Sequence, residues 1–245
     1  MLHVHAFCLR GRGESEVCDM KKRVSEIGLE FMRRGGKRLR PRLCEAVYRS
    51  VAPDGKADIG PLKEAVECFH KASLIHDDIQ DFSRTRDGMP TVWVEHGVPL
   101  AIAAGDWLLA RGMRLVADAG FPNGAEMSGL VASAILSLCE GQGDELAGDG
   151  DYVSVCERKT GSLFALAAGL GALAAGADPE PYCEWGRVYG VLFQVKDDIR
   201  DGGETALLAS LALEYEERLA ALGLGDFLQA ADGASSRADG RSAAL

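Results

Sequence analysis

Two acidic pentads of the form Asp-Asp-x-x-Asp, within HDDIQD (76–81) and KDDIRD (196–201), sit in a chain otherwise rich in Ala and Leu. At about 3.6 residues per helical turn, the first and last Asp of each pentad share a face. Asp77 with Asp81, and Asp197 with Asp201, therefore form carboxylate forks, with Asp78 and Asp198 beside them. Like charges at this spacing weaken a helix by about 0.2–0.5 kcal/mol a pair, and carboxylates gathered in one cavity raise one another's pKa unless cations intervene. Hard divalent cations are the natural compensation. Mg2+ takes oxygen ligands, keeps several waters and commonly binds one or two carboxylates together with phosphate oxygens. Two pentads facing each other across a cavity would make a metal-bridged diphosphate site.

The rest of the chain supports helices for both pentads. Apolar residues recur at helical spacing almost throughout, with no sustained strand alternation bounded by hairpin signals, so the predicted fold class is all-α. Helices are expected over about 14–34, from Pro41 to the turn Pro53-Asp54-Gly55, and from Pro61 through the first pentad. Others follow over about 99–119, 124–146, 151–175, 179–201 and 205–222, each bounded by Gly, Pro or Asp. The Ala- and Gly-rich LFALAAGLGALAAG (163–176) suits close helix packing in a large antiparallel bundle. Residues 1–231 read as a single domain. The small, polar DGASSRADGRSAAL (232–245) reads as a disordered tail.

Composition narrows the class. A net charge of −10 argues against nucleic acid as a partner, because duplex binding rests on clustered Lys and Arg. The seven Cys are scattered and never spaced C-x-x-C, which suits reduced thiols in a cytoplasmic protein. No apolar run approaches the length of a membrane span, and MLHVHAFCLRGRG lacks the h-region of a signal peptide.

Five ordered blocks, GGKRLRPRL (35–43), HKASLIHDDIQD (70–81), GQGDEL (141–146), KTGSLF (159–164) and FQVKDDIRD (193–201), resemble the trans-isoprenyl diphosphate synthases, or polyprenyl synthetases. The resemblance implies the isoprenoid synthase fold, a helical bundle around a central cavity. It also implies condensation of isopentenyl diphosphate with an allylic diphosphate, with three Mg2+ ions on the pentads. By position, Asp77, Asp81 and Asp197 match direct metal ligands, assisted by Asp78, Asp198 and Asp201. Arg86 and Lys159 match residues that grip the allylic diphosphate, and Lys37, Arg40 and His70 match the isopentenyl diphosphate pocket. Thr160 and Gln194 match residues near the carbocation, while Gln142 and Glu145 match cavity-lining residues. The small Ala72 and Ser73, one turn before the first pentad, match tunnel-floor positions, with Phe69 as the floor itself. They imply a product of about twenty carbons or longer, as made by geranylgeranyl diphosphate synthases, since pocket depth selects chain length. A homodimer is implied as well.

Each residue also has a plain structural reading. Acidic pentads are usually solvated surface, Gly-Gly-Lys-Arg is often a helix terminus, and His70 or His76 could be satisfied core histidines. Lys196 and Arg200 would balance the second pentad's charge. The chain departs from the family pattern at Asp87, where a second Arg is usual, with Arg84 in the same loop as a substitute. It departs again after Asp201, where GGETALL replaces a Lys-containing loop. Two alternatives therefore accompany the prenyltransferase reading: a class I terpene cyclase on the same fold, and a non-catalytic partner subunit of a full-length synthase.

Overall fold

The computed structural model describes residues 22–203, 205–224 and 227. Ten α-helices are seen among them: α1 (Val24–Arg33), α2 (Leu39–Val51), α3 (Gly60–Gln80), α4 (Val92–His96), α5 (Val98–Ala117), α6 (Gly124–Ala147), α7 (Tyr152–Cys156), α8 (Ser162–Ala174), α9 (Glu180–Arg200) and α10 (Ala206–Ala221). The all-α expectation holds, and the boundaries follow local chemistry. Asp151 caps α7 by accepting from Ser154 N at 3.0 Å, and Thr205 caps α10 by accepting from Leu208 N at 3.2 Å.

Several details differ from the sequence-based expectation, among them α4, which lies in none of the expected helices. The first helix begins only at Val24, where the backbone N–H of the extended Arg23 donates to Glu26 Oε2 at 2.8 Å. Residues 14–21 and the expected tail 232–245 lie outside the described residues. The helix expected over 151–175 carries a π turn at Glu157–Gly161 between α7 and α8. A short hairpin, β1 (Thr85–Arg86) and β2 (Met89–Pro90), interrupts the helices. Its turn residues Asp87 (φ 52°) and Gly88 (φ 76°) are both left-handed, the geometry for which Asp-Gly is favoured. Strands of two residues leave no alternation to read.

Helix α8 is the centre of the bundle. Every residue from Ser162 to Leu173 is buried, against α2, α6 and α9. Small residues set these distances: a Cβ on Gly171 would stand 2.4 Å from the Cys44 carbonyl oxygen of α2. Trp185 of α9 stacks on Tyr189 at 5.1 Å and takes Phe227 edge-on at 5.0 Å. A second core joins α1, α3 and α5 through Phe31, Ala72, Ile75, Ala104 and Leu108. A third joins α9 to α10 through Val191, Val195, Leu211 and Tyr215. Each large apolar side chain so buried stabilises the fold by about 1.5–3 kcal/mol. The five described cysteines are free thiols. Among the described residues no helix is long and apolar enough to cross a membrane.

Candidate active site

Residues of α2, α3, α6, α7, α9 and the π turn enclose a cavity of about 1000 Å³. Both pentads reach its wall, through Asp77 on α3 and through Asp197 and Asp198 on α9. Lys37, Arg40, His70, Ser73, Arg86, Gln142, Glu145, Lys159, Thr160 and Gln194 line the same space, although they come from the five sequence blocks and, for Arg86, the loop after the second.

Helix α3 delivers the first pentad. His70, Ser73, Leu74, Asp77 and Gln80 all line the cavity. Ala72 stands about 100° around the helix from Ser73 and is fully buried in the α1–α3–α5 core. Phe69 is also fully buried; a Cβ on Gly112 would meet its ring at 2.6 Å. Of the three proposed tunnel positions, Ser73 alone lines the cavity, and the assignment of Ala72 and Phe69 to that surface is corrected. His76 lines the cavity too, with Nε2 3.5 Å from Asp106 Oδ1 of α5.

Within the pentad the three carboxylates differ. Asp77 lies 3.3 Å from Arg86 Nη2 through Oδ2 and 3.0 Å from Lys159 Nζ through Oδ1. That Oδ1 is buried and has no partner of hydrogen-bonding geometry. Asp78 is off the cavity wall, only 1% exposed, with Oδ1 2.7 Å from Arg86 Nη2 and 2.9 Å from Nε. Burial pushes the Asp78 carboxyl up, while Arg86 opposes the shift. Asp78 thus stands as the anchor of Arg86, not as a cavity carboxylate. Asp81 is the exposed C-cap of α3; burial, then Asp77, raise its pKa. The hairpin explains why Arg86 arrives here. Ser83 O accepts from Thr91 Oγ1 at 2.9 Å and from Trp93 Nε1 at 2.8 Å, pinning the loop that carries Arg86 over α3.

In the second pentad, Asp198 is held by neutral donors. Tyr152 Oη donates to Asp198 Oδ2 at 2.5 Å, and Gln194 Nε2 donates to Oδ1 at 2.8 Å. Gln194 Oε1 in turn accepts from Thr160 Oγ1 at 3.0 Å. Asp197 pairs with Arg200 at 2.9 Å, and Asp201 is the exposed C-cap of α9. Lys196 does not balance this pentad. It pairs with Glu216 at 2.6 Å and braces α9 against α10. Sequence reasoning gave Tyr152 no role; the only hint was that a half-buried Tyr needs a polar partner. The π turn sets two adjacent side chains, Lys159 and Thr160, on the cavity wall. Lys159 also reaches Glu145 Oε2 at 2.5 Å.

Another part of the wall carries several cations. Gly35 (φ 70°), Gly36 (φ 115°) and Arg38 (φ 48°) are left-handed, a turn that presents Lys37, Arg38 and Arg40 together. The Arg40 guanidinium lies 4.3 Å from the Phe164 ring centroid, its Nε is buried without a partner, and burial lowers its pKa to about 10. Burial, then Arg40 and Lys71, push the His70 imidazole well below its usual range, so it is neutral at pH 7. Glu67 and Lys71 line this part as well, unforeseen from sequence. Arg84 is turned away, 5.6 Å from the Trp93 ring centroid, and does not take over the role expected at position 87; Asp87 itself lines the cavity.

Among the described residues no three His, Cys, Asp or Glu side chains stand together as a complete metal-ligand set. The donors nevertheless fit Mg2+. They are carboxylate oxygens on two helices, one of them Asp77 Oδ1 with only Lys159 Nζ beside it, facing a space large enough for phosphate and water ligands.

The polyprenyl synthetase family model matches residues 21–206. The geranylgeranyl diphosphate synthase of Rhodobacter capsulatus is 35% identical over 175 residues, which are 68% of this chain and 61% of that protein. The solved geranylgeranyl pyrophosphate synthetase of Pyrococcus horikoshii superimposes with a TM-score of 0.67 at 34% identity, over 73% of this chain and 58% of that one. The geranyltranstransferase of Thermotoga maritima reaches a TM-score of 0.75 over 90% and 91% of the two chains; at 24% identity it shows the shared fold alone. The chain thus spans about three fifths of the length of the Rhodobacter and Pyrococcus relatives. With the family pattern running from the residue before the first described one into α10, through all five blocks that line the cavity, this chain belongs to the polyprenyl synthetase family.

Proposed function

We propose that this chain is a Mg2+-dependent trans-prenyltransferase that condenses isopentenyl diphosphate with an allylic diphosphate, giving a polyprenyl diphosphate of about twenty carbons or longer. The observation that carries the reading is a single cavity lined by carboxylates of both pentads, by Lys37, Arg40 and neutral His70, and by Leu138, Leu163 and Phe193. Two anionic substrates with apolar tails are the ligands such a lining suits.

Asp77, Asp81 and Asp197 would hold Mg2+, three ions with substrate bound, with Asp198 and Asp201 acting through waters. When bound, the metal offsets negative charge on the leaving diphosphate. Arg86 and Lys159 grip that diphosphate and stabilise the charge as the allylic carbon–oxygen bond breaks. Thr160 and Gln194, hydrogen-bonded to each other, turn oxygen dipoles toward the allylic cation. Lys37, Arg40 and the His70 imidazole hold the second diphosphate, placing its double bond for attack. The new carbon–carbon bond forms from that π pair, and loss of a proton restores the alkene. The reading includes a cytoplasmic homodimer.

Incubation with Mg2+ and an allylic diphosphate, with and without isopentenyl diphosphate, tests it by product analysis. A longer diphosphate formed only with isopentenyl diphosphate supports the proposal. A hydrocarbon formed without it identifies a terpene cyclase, and no product at all a partner subunit.

A further inference from the structure

The part of the cavity wall around Lys37 and Arg40 contains a cation beyond those the family pattern assigns. Lys71 follows His70 on α3, lines the cavity and is 6% exposed. One of its three ammonium donors goes to the Gly35 carbonyl at 2.8 Å, and Nζ lies 5.2 Å from the Phe31 ring centroid. Glu67, one turn earlier, is 3% exposed, lines the cavity too, and has a buried Oε2 without a hydrogen-bond partner. Burial lowers the Lys71 pKa from the usual lysine range, while the nearby acids Glu67 and then Asp87 oppose the shift. Arg86 is occupied by Asp77 and Asp78, and Arg84 lies over Trp93.

The charges of this part of the wall are therefore Lys37, Arg38, Arg40 and Lys71 against Glu67 and Asp87. We propose that Lys71 is a direct ligand of isopentenyl diphosphate and supplies the cation that position 87 lacks, with the Gly35 carbonyl holding its ammonium in place. The inference rests on the prenyltransferase reading for the identity of the ligand. The competing role for Lys71 is structural, sealing the glycine turn through Gly35.

The test uses the full chain. Lys71→Met should raise the KM for isopentenyl diphosphate about tenfold or more, the loss of one charge-assisted hydrogen bond. The KM for the allylic diphosphate should stay within about twofold, since those contacts are made by other residues. Lys71→Arg should keep most of the affinity, and Asp87→Arg in the Lys71→Met background should restore it. Isopentenyl diphosphate titrated calorimetrically without Mg2+ should bind the wild type about tenfold more tightly than Lys71→Met. Equal binding to both proteins overturns the proposal, as does a Lys71→Met variant that loses thermal stability and activity toward both substrates alike. A wild type that transfers no prenyl group overturns the functional reading alone; the titration then still decides whether Lys71 binds the diphosphate.

Discussion

Lys159 reaches across the cavity to Asp77, its Nζ 3.0 Å from Oδ1, so the π turn and the first pentad are joined by one ion pair. Burial works against this ammonium, but Glu145 and Asp77 outweigh it and raise its pKa above the usual lysine range. Asp77 is therefore paired with two protein cations, Arg86 and Lys159. Metal on Asp77 would release Lys159 to a phosphate oxygen.

Asp77→Ala should lower prenyl transfer by at least about 100-fold, because it removes the proposed metal ligand and takes from each of Arg86 and Lys159 one of its two carboxylate partners. Steady-state rates at saturating Mg2+ measure this; a variant within about threefold of wild type discards the metal site as assigned.

Ser73→Phe should shorten the product, since Ser73 lines the cavity. Ala72→Phe should instead destabilise the fold by about 1–3 kcal/mol, because Ala72 lies in a packed core with no room for a ring. Product chromatography and thermal melts separate the two, and an unchanged Ser73→Phe product spectrum sinks the tunnel assignment.

Tyr152→Phe removes one of the two donors that hold Asp198. The expected cost is about 1 kcal/mol of stability, together with a higher Mg2+ concentration for half-maximal rate. Identical melting and Mg2+ dependence in variant and wild type would show that the bond positions nothing.

Gly190→Ala tests the contact between α9 and the π turn. A Cβ there would stand 2.6 Å from Gly161 Cα, and Gly190 lies one turn before Gln194, which accepts from Thr160. Overpacking should cost about 1–3 kcal/mol, and kcat should fall as the Thr160–Gln194 pair opens. Full kcat with an unchanged melting temperature contradicts this packing.

His70 predicts a direction for acid stability. Its pKa is held well below 6.5 in the fold, so the unfolded chain binds the extra proton first. Its contribution is fully present above about pH 6.5 and is lost as pH falls toward the folded pKa, at no more than about 1.4 kcal/mol per pH unit. Urea midpoints of wild type and His70→Gln at pH 7.5 and 5.0 measure it; the wild type should lose more. Parallel losses refute the shift.

What the sequence determined is local. Helical periodicity sets α3, α6 and α9 within a few residues, because apolar spacing, Pro and Gly act over one or two turns. The pentad pattern likewise puts Asp77 and Asp197 on faces that meet one cavity. Tertiary structure decided which neighbouring side chains share that face. Ser73 points into the cavity while Ala72 enters a core, since α1 and α5 cover one side of α3 and leave the other open. Asp78 anchors Arg86, and Tyr152 serves Asp198 from a point 46 residues away. Lys196 turns to Glu216 because α10 lies against α9. The π turn that presents Lys159 beside Thr160 also left no trace in the periodicity. Such pairings depend on the distance between helices, which is set by packing across the whole bundle and cannot be read from spacing along one chain segment.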